Sequence, residues 1–452
     1  MNPISTFSIS FQPKLSNPDL HQSPKIIIIN RSLAMWDSPP PEILTSVLIR
    51  LPIKSIITCT SVSKTWKSII QNSSFISIHL HHSKNKHPLL LFRLPPSEHR
   101  VSDKELYALY CDNNSNNNPD LYEHTRFDFP LSGTFRVVGT CNGLVCFTVK
   151  FTDRFFFWNP LVRKLVILPT PSVGLRTLRF YNPSIGFGFD SKTDDYKVVR
   201  IVSASESESS KVPKVEVYSL ATAQWRVVTA VPPTGTAFAD KCDPHAFVNG
   251  ALHCVASKNN IDNEILNFIL VFDLGDEVFR EIAMPKPLDN PENLVGVSVS
   301  AYRNSLALIQ WGVSIRCVDI WVMKRYAFAS SWTKMFSTLA DQGGFLPRPI
   351  GFKKTGEVLL EMHEGQFVSR DLETQQIKDL RTTGDKCTFV DSYVESLVLL
   401  NKPNCAFTYW VKRKRNNRQD AFHAYFYRFP SCYSYILGID YKLDMNIYGT
   451  VL

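Results

Sequence analysis

At 452 residues, with 44% hydrophobic and 20% charged side chains, the chain has a globular composition and room for one large domain or two or three smaller ones. Its formal charge of +9 is mostly dispersed, and the one dense basic run, Lys412, Arg413, Lys414 and Arg415 with Arg418 close behind, reads as solvated tail, so the composition argues against a nucleic-acid groove. No apolar run reaches the length of a membrane span, and ten cysteines without a CxxC pair read as reduced thiols, so the expectation is an intracellular protein of the cytoplasm or nucleus.

Residues 1–34 are rich in Ser, Pro, Asn and Gln and hold no sustained period, which is a disordered composition. The pattern begins just after Met35. Leu44, Val47, Leu48 and Leu51 fall at i, i+3, i+4 and i+7, one stripe of a helix. Pro40 and Pro41 suit a first helical turn, Glu42 favours the positive end of the helix dipole, and Pro52 stops the helix. Ile53, Ile56 and Ile57 form a second apolar group. Val62, Trp66, Ile69 and Ile70 form a third, with Ser61 or Ser63 as its N-cap. Three short helices are too small for an independent core, so the unit gains from a partner that covers its leftover apolar face.

A polar stretch follows with His79, His81, His82 and His87. It reads as a linker, because no carboxylate or thiol stands nearby to close a metal coordination shell. From there to about Leu400 the period becomes strand-like, with β-branched and aromatic runs divided by Gly, Asn, Asp and Pro. Five units repeat at roughly 50 residues: "FFFWNPLVRKLVIL", "VEVYSLATAQWRVV", "LVFDLGDEVFREI", "DIWVMKRYAFASSWTKM" and "FVSRDLETQQIKDL". Each has a strand, a polar turn and a later large apolar residue, the pattern of a four-stranded propeller blade. A sixth blade is expected with inner strands from residues 88–130 and a closing strand from residues 393–400, since an open blade edge invites aggregation. Two large β-sandwiches are the structural alternative. The basic and Tyr-rich tail, residues 401–452, has no assigned role.

No GxSxG elbow, HExxH, Walker loop or kinase set occurs, so neither catalysis nor a cofactor or metal is expected. Gly186 and Gly188 of "GFGFD" lack a third glycine and a following helix, and read as close strand packing rather than a phosphate loop. Trp158, Trp225 and Trp332 recur in the repeat, which favours packing between sheets over base stacking. An enzyme would need inward-facing charges with perturbed titration at the channel mouth.

With helices and repeats both in view, the chain resembles a plant F-box protein with a C-terminal F-box-associated interaction domain of kelch-like type. "PPPEILTSVLIRLPIKSIITCTSVSKTWKSIIQNSSFISIHL" is similar to the F-box. "GTCNGLVCF", "WNPLVRKLVILP", "GFGFDSKTDDYKVVRI", "VEVYSLATAQWR" and "FVNGALHCVA" follow the associated domain in order and spacing. The usual Leu-Pro opening of the F-box reads Pro40-Pro41 here, which removes one apolar contact. The resemblance implies an α+β multidomain chain: an extension at 1–34, a three-helix F-box at 35–80, a propeller-like substrate-binding domain of about six blades at 88–400, and the tail.

It further implies a non-catalytic substrate-recognition subunit of a Skp-cullin-F-box ubiquitin ligase. Such a chain docks on the Skp-type adaptor and presents a target protein for degradation; the alternative is an F-box scaffold acting outside a ligase. Pro41, Ile43, Leu44, Val47, Leu48, Leu51 and Pro52 form the expected adaptor-binding stripe, a helix-in-groove pattern. Ile57, Val62 and Trp66 are the expected F-box core. Target contacts are expected on blade loops, with 113–119, 203–211 and 341–344 as candidates.

Overall fold

A computed structural model describes residues 40–403 apart from 87–88, 95–103, 113–120, 134, 150–151, 174–182, 203–212, 239–243, 260–263, 290–295, 313–315, 341–343 and 384–388. The extension at 1–34, His87, the loops at 113–119 and 203–211, most of that at 341–344, and the tail from 404 with its basic run lie outside the described residues. Contacts divide the chain into a small unit, Met1–Leu44, and a large one, Thr45–Leu452.

Four helices open the described chain: α1 (Pro41–Leu48), α2 (Ile53–Cys59), α3 (Lys64–Gln71) and α4 (Ser73–Ser83). The fourth was expected as linker. Its histidines hide an apolar face: Phe75, Ile76, His79, Leu80 and Ser83 are all buried, at spacings that only a helix brings together. Ser63 is the N-cap of α3, its hydroxyl accepting the Trp66 amide at 3.1 Å, and Asn72 caps α4 through the Ser74 amide at 2.8 Å.

The strands then form six sheets. β1 (Leu89–Leu94), β2 (Lys104–Asp112) and β3 (Leu121–Ser132) make three strands of the first. The second is β4 (Arg136–Cys141), β5 (Leu144–Thr148), β6 (Phe155–Asn159) and β7 (Lys164–Ile167). The third is β8 (Ser184–Asp190), β9 (Asp195–Val202), β10 (Lys214–Ser219) and β11 (Gln224–Val228). In the fourth, β12 (Ala237–Phe238) and β13 (Ala246–Val248) share one edge of β14 (Ala251–Asn259), followed by β15 (Ile265–Asp273) and β16 (Phe279–Ala283).

The fifth is β17 (Val297–Tyr302), β18 (Ser305–Gly312), β19 (Cys317–Met323) and β20 (Trp332–Leu339). The sixth is β21 (Arg348–Phe352), β22 (Val358–Glu361), β23 (Gln366–Arg370) and β24 (Ile377–Thr383). β25 (Phe389–Tyr393) returns to pair antiparallel with β1, Leu91 opposite Asp391, and so completes the first sheet.

The leading strands touch in the order β4, β8, β13, β17, β21, β25 and back to β4, which closes a six-bladed propeller. Closure uses both chain ends, as the edge-strand argument requires. The strand differs from the expected one: it is Phe389–Tyr393, and it takes the innermost place, so residues 89–132 supply the outer three strands of their blade.

The repeated polar turn has one cause. The residue at or just after the end of the third strand accepts the amides that follow: Asn159 from Leu161 at 3.1 Å, Ser219 from Thr222 at 3.1 Å, Asp273 from Asp276 at 2.9 Å and Asp371 from Thr374 at 2.9 Å. Each turn then places one residue at positive φ: Arg163, Ala223, Glu277 and Gln375. Blades meet closely at the hub. A Cβ on Gly186 would stand 2.7 Å from His245 Nδ1 and from Leu252 Cδ1, and one on Gly188 would strike the Phe247 ring, so the packing reading of "GFGFD" holds.

Trp225 and Trp332 open the fourth strands of their blades and donate from Nε1 to carbonyls of the preceding blade, Pro169 at 2.7 Å and Ala283 at 3.0 Å. Trp158 departs from this pattern, lying buried in a third strand among Tyr107, Phe129 and Phe147.

Candidate functional site

In the small unit, the Pro40 carbonyl accepts the amides of Ile43 at 3.0 Å and Leu44 at 3.1 Å, which starts α1. Pro41, Glu42 and Ile43 are exposed, Ile43 by 55%, and Leu44 is buried.

In the large unit, Val47 on α1 is 52% exposed, Pro52 is exposed and Leu51 is half-buried, but Leu48 is fully buried. The expected stripe therefore splits. Leu44 and Leu48, expected to face a partner, are interior side chains of the free chain, and Pro41, Ile43, Val47 and Pro52 remain on the surface. The reason is helical geometry: of a stripe at i, i+3, i+4 and i+7, one row faces inward and the flanking row stays outside.

The expected helical core is corrected as well. Ile57 and Trp66 are only half-buried, and Val62 is 47% exposed. Val62 precedes Ser63, the cap of α3, so it lies in a turn and shares no helical face with Trp66. The buried residues are Ile53, Ile56, Cys59, Ile70, Phe75, Ile76 and Leu80, with α3 against both α2 and α4. His79 lies among them with neither ring nitrogen bonded, and burial, helped by the charges of Lys86 and His82, lowers its pKa to about 4.

A strap holds these helices to the propeller. After β25, residues 394–402 run beneath the second blade: Tyr393 donates from Oη to the Gly143 carbonyl at 3.0 Å, and Asn159 Nδ2 donates to the carbonyls of Ser396 at 3.0 Å and Val398 at 2.9 Å. A side chain on Gly143 would meet the Val394 carbonyl at 2.6 Å. Leu397, Val398, Leu399 and Leu400 are buried, and the Leu400 carbonyl accepts from Gln71 Nε2 of α3 at 3.4 Å. Lys164 Nζ donates to Lys402 O at 3.0 Å, and Lys354 Nζ donates to Lys84 O, just after α4, at 3.4 Å. Of residues 393–400, expected as a strand, only Tyr393 lies in one, at the end of β25, and 394–400 belong to this strap. Their apolar run answers a junction rather than a sheet.

The strap meets the ends where first strands turn into second and third into fourth. Loops from second to third strands and between blades lie at the other end. In the sequence, 203–211 falls between β9 and β10, 341–344 between β20 and β21, and 113–119 between β2 and β3; apart from Gly344 they lie outside the described residues.

At the hub, Ser184 Oγ and His245 Nε2 are 2.8 Å apart, and Cys254 Sγ is 4.0 Å from Ser184. Burial, with the Arg136 charge, lowers His245 to about 3, and burial pushes the Cys254 thiol up to about 12. The adjoining cavity has room for about one water. Its walls are Val199, Ile201, Leu252, Leu270, Phe272 and Phe279 beside His245 and Cys254, without a carboxylate to orient the imidazole. The arrangement fits packing better than a nucleophile and its base.

The sequence matches the model of the F-box domain over residues 40–77 and that of the F-box associated beta propeller domain over residues 100–409. Among curated relatives, the Arabidopsis thaliana F-box/kelch-repeat protein At3g23880 is 27% identical over 339 residues, covering 72% of this chain and 86% of the relative. The F-box protein CPR1 of the same plant is 28% identical over 386 residues, covering 80% and 88%. A third, F-box protein At3g07870, is 26% identical over 399 residues, covering 76% and 87%.

Proposed function

The chain belongs to the family of F-box proteins with an F-box associated beta propeller domain, and on that premise we propose that it is the substrate-recognition subunit of a Skp-cullin-F-box ubiquitin ligase. The helices dock on the Skp-type adaptor, and the propeller holds a target protein for ubiquitination and proteasomal degradation. No bond is made or broken by this chain. It raises the local concentration of target lysines at the ubiquitin-carrying enzyme, turning a bimolecular encounter into an intracomplex one.

The observation that carries this reading is the match of residues 40–77 to the F-box domain, with Val47 at 52% and Val62 at 47% exposed in the large unit and Ile43 at 55% in the small one. Apolar side chains left in water within a segment of this family support contact with another protein. The strap supports a fixed separation between adaptor and target, and the loops at the end away from the helices are the proposed target surface. The corrected contact set in the large unit is Val47, Leu51, Pro52 and Val62, with Leu48 interior; in the small unit it is Pro41 and Ile43, with Leu44 interior.

Affinity capture of the full chain from plant cells, with and without proteasome inhibition, tests the assignment. The expected result is the adaptor in both samples and target proteins enriched only under inhibition. Adaptor without any inhibitor-dependent protein would make the chain a scaffold outside a ligase, and a folded chain that captures no adaptor would overturn the docking assignment.

A further inference from the structure

Between Glu42 and Arg93 the chain contains no aspartate or glutamate, yet Arg50, Lys54, Lys64, Lys67, Lys84 and Lys86 stand in that stretch. All six side chains are exposed, and no carboxylate pairs with any of them among the described residues. The propeller is different. Several of its surface cations are answered locally, Arg303 by Glu373 at 2.9 Å, Lys334 by Asp319 at 2.7 Å and Lys258 by Glu281 at 2.5 Å, while others such as Lys214, Lys286 and Lys324 stand scattered among acids in the sequence rather than in one acid-free run. Residues 43–92 therefore carry a net charge of +6 against +9 for the whole chain, although the charge reads as dispersed when averaged over its length.

Like charges that stay unpaired repel one another and weaken the compact state until an opposite charge arrives. The cations also interleave with the exposed apolar residues. Arg50 and Lys54 bracket Leu51 and Pro52, and Lys64 follows Val62 by two positions. An apolar centre with charged flanks is the make-up of a protein interface, whose rim stays polar. A nucleic-acid backbone fits less well, since phosphates gain nothing from the methyl groups of Val47 and Val62.

We infer that the helical docking face takes an acidic protein surface, that of the adaptor, and that its charge accelerates the encounter. This rests on the docking assignment above. Opposite charge speeds association through long-range steering, which salt screens over about 10 Å at 0.1 M.

Stopped-flow association of the full chain with purified Skp-type adaptor, over salt from about 0.05 M to about 0.5 M, tests it. Wild type is expected to lose about tenfold in association rate across that range. The variant Lys54→Gln/Lys64→Gln/Lys67→Gln should be about tenfold slower at low salt with its dissociation rate little changed. Lys214→Gln/Lys286→Gln/Lys324→Gln, which removes three exposed propeller charges, should match wild type. Binding that is indifferent to salt and to the first variant overturns the electrostatic inference and leaves docking standing. Equal slowing by both variants also overturns it, in favour of net charge alone. Failure of the folded wild type to bind adaptor at any salt overturns docking and this inference together. A 20-base-pair duplex bound by wild type and lost in the first variant, with adaptor rates unchanged, assigns the charges to nucleic acid instead.

Discussion

Replacing Val47 with aspartate separates a docking residue from a core residue. Val47 is 52% exposed, so its change leaves the free chain's stability within about 0.5 kcal/mol, as for most surface substitutions. Burying the exposed half of a valine under a partner contributes about 1 kcal/mol, half the value for a fully buried side chain. An unpaired carboxylate left in that contact costs about 1–3 kcal/mol more. The expected loss is about 2–4 kcal/mol, or about 30-fold to about 1000-fold in Kd. Leu48, one residue on, is fully buried, and Leu48→Ala should cost about 2–5 kcal/mol of folding stability through the cavity it leaves.

Calorimetric titration with the adaptor, alongside thermal unfolding by circular dichroism, reads both effects. Val47→Asp should unfold like wild type and bind weakly, and Leu48→Ala should unfold at lower temperature. A folded Val47→Asp chain that binds within threefold of wild type refutes the placement of the docking face. Unchanged unfolding of Leu48→Ala refutes the division of the stripe.

Asn159→Ala should lower the free energy of unfolding by about 2–4 kcal/mol, because Asn159 is fully buried and its loss leaves the carbonyls of Ser396 and Val398 unpaired; equilibrium denaturant unfolding measures it. Gly188→Ala should cost about 1–3 kcal/mol, since the added methyl strikes Phe247 and stands 2.8 Å from Leu274, whereas Gly235→Ala, at an open turn, should show only the milder strain of its positive φ of 74° in the same assay. Stability should fall in acid through His79 and His253, both buried and both lowered from 6.5 to about 4. Their folded pKa values lie below the unfolded value, so the unfolded chain takes up protons first. The contribution is full above pH 6.5 and is lost as pH falls toward 4, with a slope of up to about 1.4 kcal/mol per pH unit for each histidine. His79→Gln should flatten the stability profile of the chain in that window, and an unaltered profile would show that His79 is accessible to protons when folded.

Patterns that depend on near neighbours were legible in the sequence. The six-bladed propeller followed from a repeat in which each strand ends on or just before a residue able to accept the turn amides, as Asn159, Ser219, Asp273 and Asp371 do, because that chemistry is complete within four residues. The start of α1 and the cap at Ser63 were legible for the same reason, whereas α1 ends at Leu48, before Pro52, which stands instead at the N-cap of α2. The charge of the helices was legible too, but only when read as a local run without acids.

What depends on distant partners was decided by tertiary structure. Periodicity shows that Leu44, Val47, Leu48 and Leu51 share a stripe, but which row turns inward depends on the elements packed around it, so Leu48 and Val47 end in opposite environments. His79 reads as polar in sequence and becomes interior because α4 turns it inward with Phe75 and Leu80. Leu397 and Leu400 read as strand residues and became a strap, since their hydrogen-bonding and apolar partners, Asn159 and Gln71 among them, stand hundreds of residues away. Local pattern sets which side chains seek burial, and only the assembled fold determines what is left to cover them.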